Sequence, residues 1–334
     1  MMTGRERIKA AITFTHPDRV PRDLWSLPYV GKFRKAELDA LLAEFPTDIQ
    51  GVSPIYPPDI YRPEGFQPVG KYRDEWGSVW YVHEPGVVGE VKEPVLSDWS
   101  ALAHFSPPYE LIRRRELSTI DRQCAQTDKF VLSECTVRIF ERLQFLRGSQ
   151  NLFMDIAYGS KELYKLMDMV HEYYLEDLSA WLKTDVDGIT MMDDWGTNDS
   201  LLINPKVWRE LFKPKYKEYC DLIHSAGKFV FFHSDGNIQS VYGDFVEVGV
   251  NAINSQLFTM DIEALARDYK GKITFWGEVD RQHLLPFGTP EEIRAAVRRV
   301  RSLLDDGSGG VIAECEWGKY DPAENVRAVY EAWM

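Results

Sequence analysis

The sequence predicts an α/β fold in which short strands alternate with helices around a closed parallel sheet, a (β/α)8 TIM barrel. Three observations predict it. Eight short apolar runs recur along the chain, at 20–25, 49–53, 130–133, 188–192, 229–232, 252–254, 273–276 and 311–314. Amphipathic stretches separate the later ones, at 204–226, 259–269 and 289–304, and alternation of this kind implies parallel strands joined by helical crossovers. The run Phe229-Val-Phe-Phe232 has no polar alternation, as expected of a strand covered on both faces.

The elements follow in order. Met1-Met-Thr-Gly-Arg-Glu-Arg7 opens a polar amphipathic helix, not a signal peptide. After the second strand, residues 54–108 are rich in proline, glycine and aromatics and contain Lys71-Tyr-Arg-Asp-Glu-Trp-Gly-Ser-Val-Trp-Tyr81. This predicts a hairpin and loop insertion at the mouth of the barrel. Thr289-Pro-Glu-Glu-Ile293 is a helix start, with proline at the first helical position and acids in the first turn. No linker divides the chain, so residues 1–334 are expected to form one domain. An open doubly wound sheet fits the same alternation, but no GxGxxG or GKS/T loop follows any strand, which weakens nucleotide-binding readings.

Composition bounds the function. The 334 residues carry a net charge of −13, which argues against binding nucleic acid through phosphate contacts. No apolar run reaches the roughly 20 residues needed to span a bilayer. Cys124, Cys135, Cys220 and Cys315 are widely spaced with no CxxC pair, which suits a reducing cytoplasm more than a disulfide framework. The expected partner is a small molecule.

Barrel enzymes collect their chemistry at the carboxyl ends of the strands. Here those ends supply Asp23, Glu134 with Cys135, Asp193-Asp194, His233 and Asp235, Gln256, Glu278 with Asp280, and Glu314-Cys315-Glu316. So many carboxylates need a counter-charge, from a divalent metal, a cationic substrate, or Arg22, Arg138 and Arg281. His233, Asp235 and Cys315 are mixed donors suited to zinc, with Glu278 able to complete four-coordination. Against this, a lone histidine can simply end a strand and a lone cysteine is usually a small buried hydrophobe. Asp193 and Asp194 are candidates to position substrate or act as general base, with Glu134 beside them, although an acidic pair before glycine also caps helices. Trp25, Trp195, Trp276 and Trp317 fall at or past strand ends. They are candidate substrate-binding walls together with Asp23 and Gln256, or else core residues.

Four segments carry a resemblance over nearly the whole chain. They are Arg5-Glu-Arg-Ile-Lys-Ala-Ala-Ile-Thr-Phe-Thr-His-Pro-Asp-Arg-Val-Pro21, Ser200 to Pro214, His224 to Asn237, and Gly309-Gly-Val-Ile-Ala-Glu-Cys315. Each resembles the corresponding part of the uroporphyrinogen decarboxylase (URO-D) superfamily, which implies a (β/α)8 barrel that is often dimeric and leaves a homodimer open. The superfamily contains decarboxylases and a branch of zinc-dependent, corrinoid-linked methyltransferases. The decarboxylases carry an arginine-rich RQAGRY motif after the first strand. Pro21-Arg-Asp-Leu-Trp-Ser-Leu-Pro-Tyr29 departs from it, Gly51-Val-Ser-Pro-Ile-Tyr56 offers no match to their aspartate motif, and the mouth is acidic.

The methyltransferase branch is similar in having HxC after the fifth strand and a cysteine at the eighth, matched here by His233 and Cys315, with Asp235 in place of the first cysteine. The resemblance therefore implies a metal-dependent methyltransferase that moves a methyl group between a small substrate and a corrinoid carried on a partner protein. Exchanging a thiolate for a carboxylate makes a harder site, directed at a methyl donor with an ether or ammonium group. The alternative is a decarboxylase without metal, using a carboxylate as proton donor.

Overall fold

The computed structural model describes residues 1–63, 67–277 and 279–334. In chain order its strands are β1 (Trp25–Ser26), β2 (Ile49–Val52), β3 (Gly70–Arg73), β4 (Val79–Val82), β5 (Glu90–Glu93), β6 (Phe130–Val137), β7 (Gly188–Met192), β8 (Phe229–Ser234), β9 (Ala252–Ser255), β10 (Thr274–Trp276), β11 (Val311–Ile312) and β12 (Glu316–Trp317). Seven of them form one parallel sheet in the order β11-β10-β9-β8-β7-β6-β2. Parallel neighbours need a crossover, and helices supply it. The protein is thus a mixed α/β molecule of TIM-like form.

The sheet curls, and the run 21–26 lies between its two ends. On one side β1 pairs in parallel with β12, and the Asp23 and Trp25 amides donate to the Ala313 and Cys315 carbonyls at 2.8 and 3.2 Å. On the other, the Asp48 amide just before β2 donates to the Arg22 carbonyl at 2.7 Å. The strand expected at 20–25 is reduced to two residues and a bridge at Arg22. Pro21 has no N–H to give; its carbonyl accepts from Ala313 instead.

Side chains alternate across the sheet, and the two faces form two separate cores. Phe231, Phe130, Leu132, Trp276 and Ile312 point inward and pack with Ile8 and Ile12 of the N-terminal helix Gly4–Ile12. The interior is therefore filled by side chains and is not a pore. Phe232, Met191, Ala313 and Cys315 belong to the outer core under the helices. The amphipathic stretch at 204–226 is two helices, Pro205–Leu211 and Lys213–Ser225. Pro214 lacks the amide that would continue the first helix, and Asn204 caps its start through the Lys206 amide.

Within 54–108, β3, β4 and β5 form a separate antiparallel sheet. Its first turn is built on Asp74, whose carboxylate accepts from the Trp76 and Ser78 amides and from Trp80 Nε1 at 2.8–3.0 Å. The Ser78 hydroxyl donates to the Phe145 carbonyl, and the Leu96 amide to that of Leu146, which docks the sheet on the helix Ile139–Arg147.

Candidate metal and substrate site

Alternation decides which strand-end residues meet. Beyond β7 and β8, Asp194 and His233 keep the inward register of Met192 and Phe231, and Asp235 follows His233 by two. Among the described residues, one group gathers three metal-type donors, Asp194, His233 and Asp235, with one donor atom from each all within 4.8 Å of one another. His233 Nε2 lies 3.5 Å from Asp194 Oδ1 and 3.4 Å from Asp235 Oδ1. Donors bound at the ~2.0–2.1 Å typical of zinc with nitrogen and oxygen ligands sit roughly 3.3–3.5 Å apart around a tetrahedron.

The imidazole is oriented from behind. Fully buried Asn254, on β9, donates its Nδ2 hydrogens to the Trp276 carbonyl at 2.8 Å and Glu314 Oε2 at 2.9 Å. Its Oδ1 is left facing His233 Nδ1 at 2.6 Å. An amide oxygen only accepts, so the His233 proton belongs on Nδ1 and the neutral ring turns the Nε2 lone pair toward the two carboxylates. A lone pair facing two anions is repulsive unless a cation lies between them or the ring is protonated. Asp235 Oδ1 is buried and, among the described residues, accepts no hydrogen bond, while its Oδ2 is paired with Arg281. Arg281 also bonds Glu316 Oε1 at 2.5 Å.

The Asp194 carboxylate is pulled in opposite directions. Burial raises its pKa, but His233, when its ring is protonated, and the Asp235 amide, which donates at 3.0 Å, hold it below the usual range. Burial is the largest single effect on it, and the lowering effects together outweigh it at a side chain that is 42% exposed. The loops after β7 and β8 touch at two glycines. A Cβ on Gly236 would lie 2.2 Å from the Gly196 carbonyl oxygen, and Gly236 has φ +77°. Only glycine allows this approach, which fixes Asp235 beside Asp194.

A cavity of about 480 Å³ adjoins the trio, lined by Trp25, Trp276, Asp23, Leu132 and Met192 among others. The Trp25 ring lies 5.0 Å from the His233 ring and the same distance, edge-on, from Trp276. Asp23 accepts from Trp276 Nε1 at 3.1 Å, and burial raises its pKa to about 6. Gln256 lies against the trio's loop, accepting from the Gly236 amide at 3.2 Å. Glu134 stands apart, held by the Tyr56 hydroxyl at 2.9 Å and by Arg62 at 3.6 Å.

Several expected site residues face the other way. Asp193 is fully buried and accepts from the Phe140 and Glu141 amides and the Tyr216 hydroxyl. It caps the helix Ile139–Arg147, and burial together with Glu141 raises its pKa to about 8. Trp195 is core, stacked on Phe140 at 3.9 Å with its Nε1 donating to Tyr216. Trp317 is core as well, bonded to the Asp321 carbonyl. Cys315 is not among the gathered donors. With Ile312 inward, Ala313 and Cys315 face outward, and the thiol lies 3.9 Å from the Tyr330 hydroxyl under the C-terminal helix Ala323–Trp333. Glu314 takes the inward place. Glu278 lies outside the described residues.

The sequence reading left Asn254 out of the site, because a buried asparagine carries no motif. An amide at a strand end next to a histidine-bearing strand was the available signal.

A TIM-like α/β fold with acidic and imidazole groups gathered at its strand ends places them where enzymes of such folds carry their chemistry. The chain belongs to the uroporphyrinogen decarboxylase (URO-D) family, whose match spans residues 145–333. Among solved structures, a methyltransferase from Methanosarcina mazei has a TM-score of 0.74 at 16% identity, covering 100% of this chain and 98% of that one. That likeness speaks for the fold. A glycosylated endo-beta-1,4-xylanase from Gloeophyllum trabeum covers 98% of this chain and 99% of its own at 9% identity and a TM-score of 0.47, too distant to carry an argument. No curated protein matches the sequence. No helix among the described residues is long and apolar enough to cross a membrane.

Proposed function

We propose that this URO-D family enzyme is a metal-dependent methyltransferase or demethylase, its barrel closed as a full (β/α)8. In this reading it moves a methyl group between a small substrate and a corrinoid on a partner protein in the cytoplasm. The observation that carries the metal is the convergence of His233 Nε2, Asp194 Oδ1 and Asp235 Oδ1, with His233 Nδ1 held from behind by Asn254. Those three residues would hold zinc and leave a fourth position for substrate. The methyltransferase relative of similar fold, from Methanosarcina mazei, supports the reaction class.

When bound, the metal supplies Lewis-acid activation of an ether or ammonium leaving group. The chain's own residues do the rest. Asn254 and Glu314 lock the imidazole. Arg281 takes Asp235 Oδ2 and directs Oδ1 inward. Trp25 and Trp276 wall the cavity in which the methyl-bearing group sits, and Asp23, its pKa raised to about 6, can take up or release a proton at the cavity wall near neutral pH. Elemental analysis of protein purified without chelator is expected to give about one zinc per chain by the ligand count above, lost in His233→Ala. No metal, with activity unchanged in His233→Ala, refutes the proposal.

Asp23 also favours a second reading, a metal-free decarboxylase with this acid as proton donor. Carbon dioxide release from uroporphyrinogen that persists in chelator and fails in Asp23→Asn would establish it.

A further inference from the structure

A second pocket, of about 140 Å³, lies at the end of β6 and is built by the insertion and the helices that follow. Four guanidiniums line it, Arg62, Arg115, Arg138 and Arg142, against three carboxylates, Glu75, Glu134 and Asp177. Most of the opposite charges are already committed. Asp177 pairs with Arg115, and Glu134 is held by Tyr56 and Arg62. Arg138 pairs with Glu141 at 3.1 Å.

Arg142 is held by the Tyr174 hydroxyl and, among the described residues, has no carboxylate in close ion-pair contact. It is 9% exposed, and the one described carboxylate within 4 Å is Asp74 at 3.8 Å. Both Asp74 oxygens are occupied by the turn amides and Trp80. Among the described residues, the buried Nε atoms of Arg115, Arg138 and Arg142 have no hydrogen-bond partner. A buried guanidinium is costly unless an anion completes its hydrogen bonds, and its planar fork matches a carboxylate. Trp76 stacks under Arg142 at 4.5 Å, and Tyr173 and Tyr174 add aromatic wall. The volume is close to the ~150 Å³ that takes up a benzene ring.

We infer that this pocket binds the carboxylate of a small, flat organic acid, with Arg142 and Arg138 as its guanidinium contacts. Arg138 also links the pocket to the donor trio, since it donates to Met192 Sδ and Met192 is the ladder neighbour of His233. As a substrate-anchoring subsite it rests on the methyl-transfer reading. As an anion site it stands alone, so its test uses chelator-treated full-length protein and requires no turnover.

Benzoate and its uncharged analogue benzamide are titrated calorimetrically in low-chloride buffer. Benzoate is expected to bind at least tenfold more tightly, and Arg142→Met to abolish that preference. The methionine keeps an apolar stem on Trp76 and removes a buried charge that has only a distant carboxylate partner, so the unliganded variant is expected to melt no lower than the parent. Arg138→Met provides the same comparison if Arg142→Met fails to fold. Equal binding of the two probes, binding of neither, or a preference that survives the substitutions overturns the inference. A zinc-free protein that still prefers benzoate separates this subsite from the metal proposal.

Discussion

Asn254→Leu tests the metal reading at the residue that orients the imidazole. The substitution keeps approximate volume and removes both an acceptor and a donor from a fully buried position. His233 Nδ1–H loses its partner at 2.6 Å, the Trp276 carbonyl loses a donor at 2.8 Å, and buried Glu314 loses one at 2.9 Å. A buried group left unsatisfied costs about 1–3 kcal/mol. The carbonyl has a second lone pair, so the histidine and Glu314 are expected to dominate and the total loss of stability to be about 2–6 kcal/mol. Zinc affinity has its own expectation. Removing the partner of a metal-bound histidine typically weakens binding by roughly 10–100-fold, or about 1.4–2.8 kcal/mol. The two ranges overlap because the same lost hydrogen bond sets both. Urea denaturation measures the first, and competition with a chromophoric chelator measures the second. A variant that binds zinc as tightly as the parent while losing stability would show that Asn254 serves only the core and that His233 is no ligand.

Two further outcomes are expected. Asp193→Ala should cost about 3 kcal/mol in urea unfolding, because two helix amides and the Tyr216 hydroxyl lose their acceptor. Asp194→Ala, at a half-exposed side chain, should cost far less stability and instead weaken metal binding; equal stability losses would contradict the division of roles. The pH dependence of stability should carry the Asp23 signature. An acid with a folded-state pKa of about 6 against an unfolded value near 3.9 holds its proton longer in the native state. Native stability therefore falls as pH rises from about 4 to about 6, by up to roughly 3 kcal/mol, and Asp23→Asn should flatten that slope. An unchanged slope in the variant would refute the buried-acid assignment.

Much of the fold was legible in the sequence. The apolar runs at 188–192 and 229–232 became β7 and β8 with little change, because an unalternating run is what burial on both faces demands. Thr289-Pro-Glu-Glu-Ile293 became a capped helix with the Thr289 and Glu292 side chains each bonded to the other's amide. His233 and Asp235 were both recognisable as site residues. The division within Asp193-Asp194 and within Glu314-Cys315 was not. In each pair one residue faces the barrel interior and its neighbour faces the helices, a choice that shifts with a single step of register.

Although several strand ends, such as those of β1, β6 and β11, fell elsewhere, the sequence by itself marked most strands of the parallel sheet and showed that acids and a histidine follow them. These are local properties of hydrophobicity and turn chemistry. Tertiary structure alone decided which of those groups meet. Strands buried on both faces carry no polar–apolar alternation to reveal the inward side, so only the assembled sheet sends Asp194 and Glu314 inward, Asp193 and Cys315 outward, and brings Asn254 behind His233.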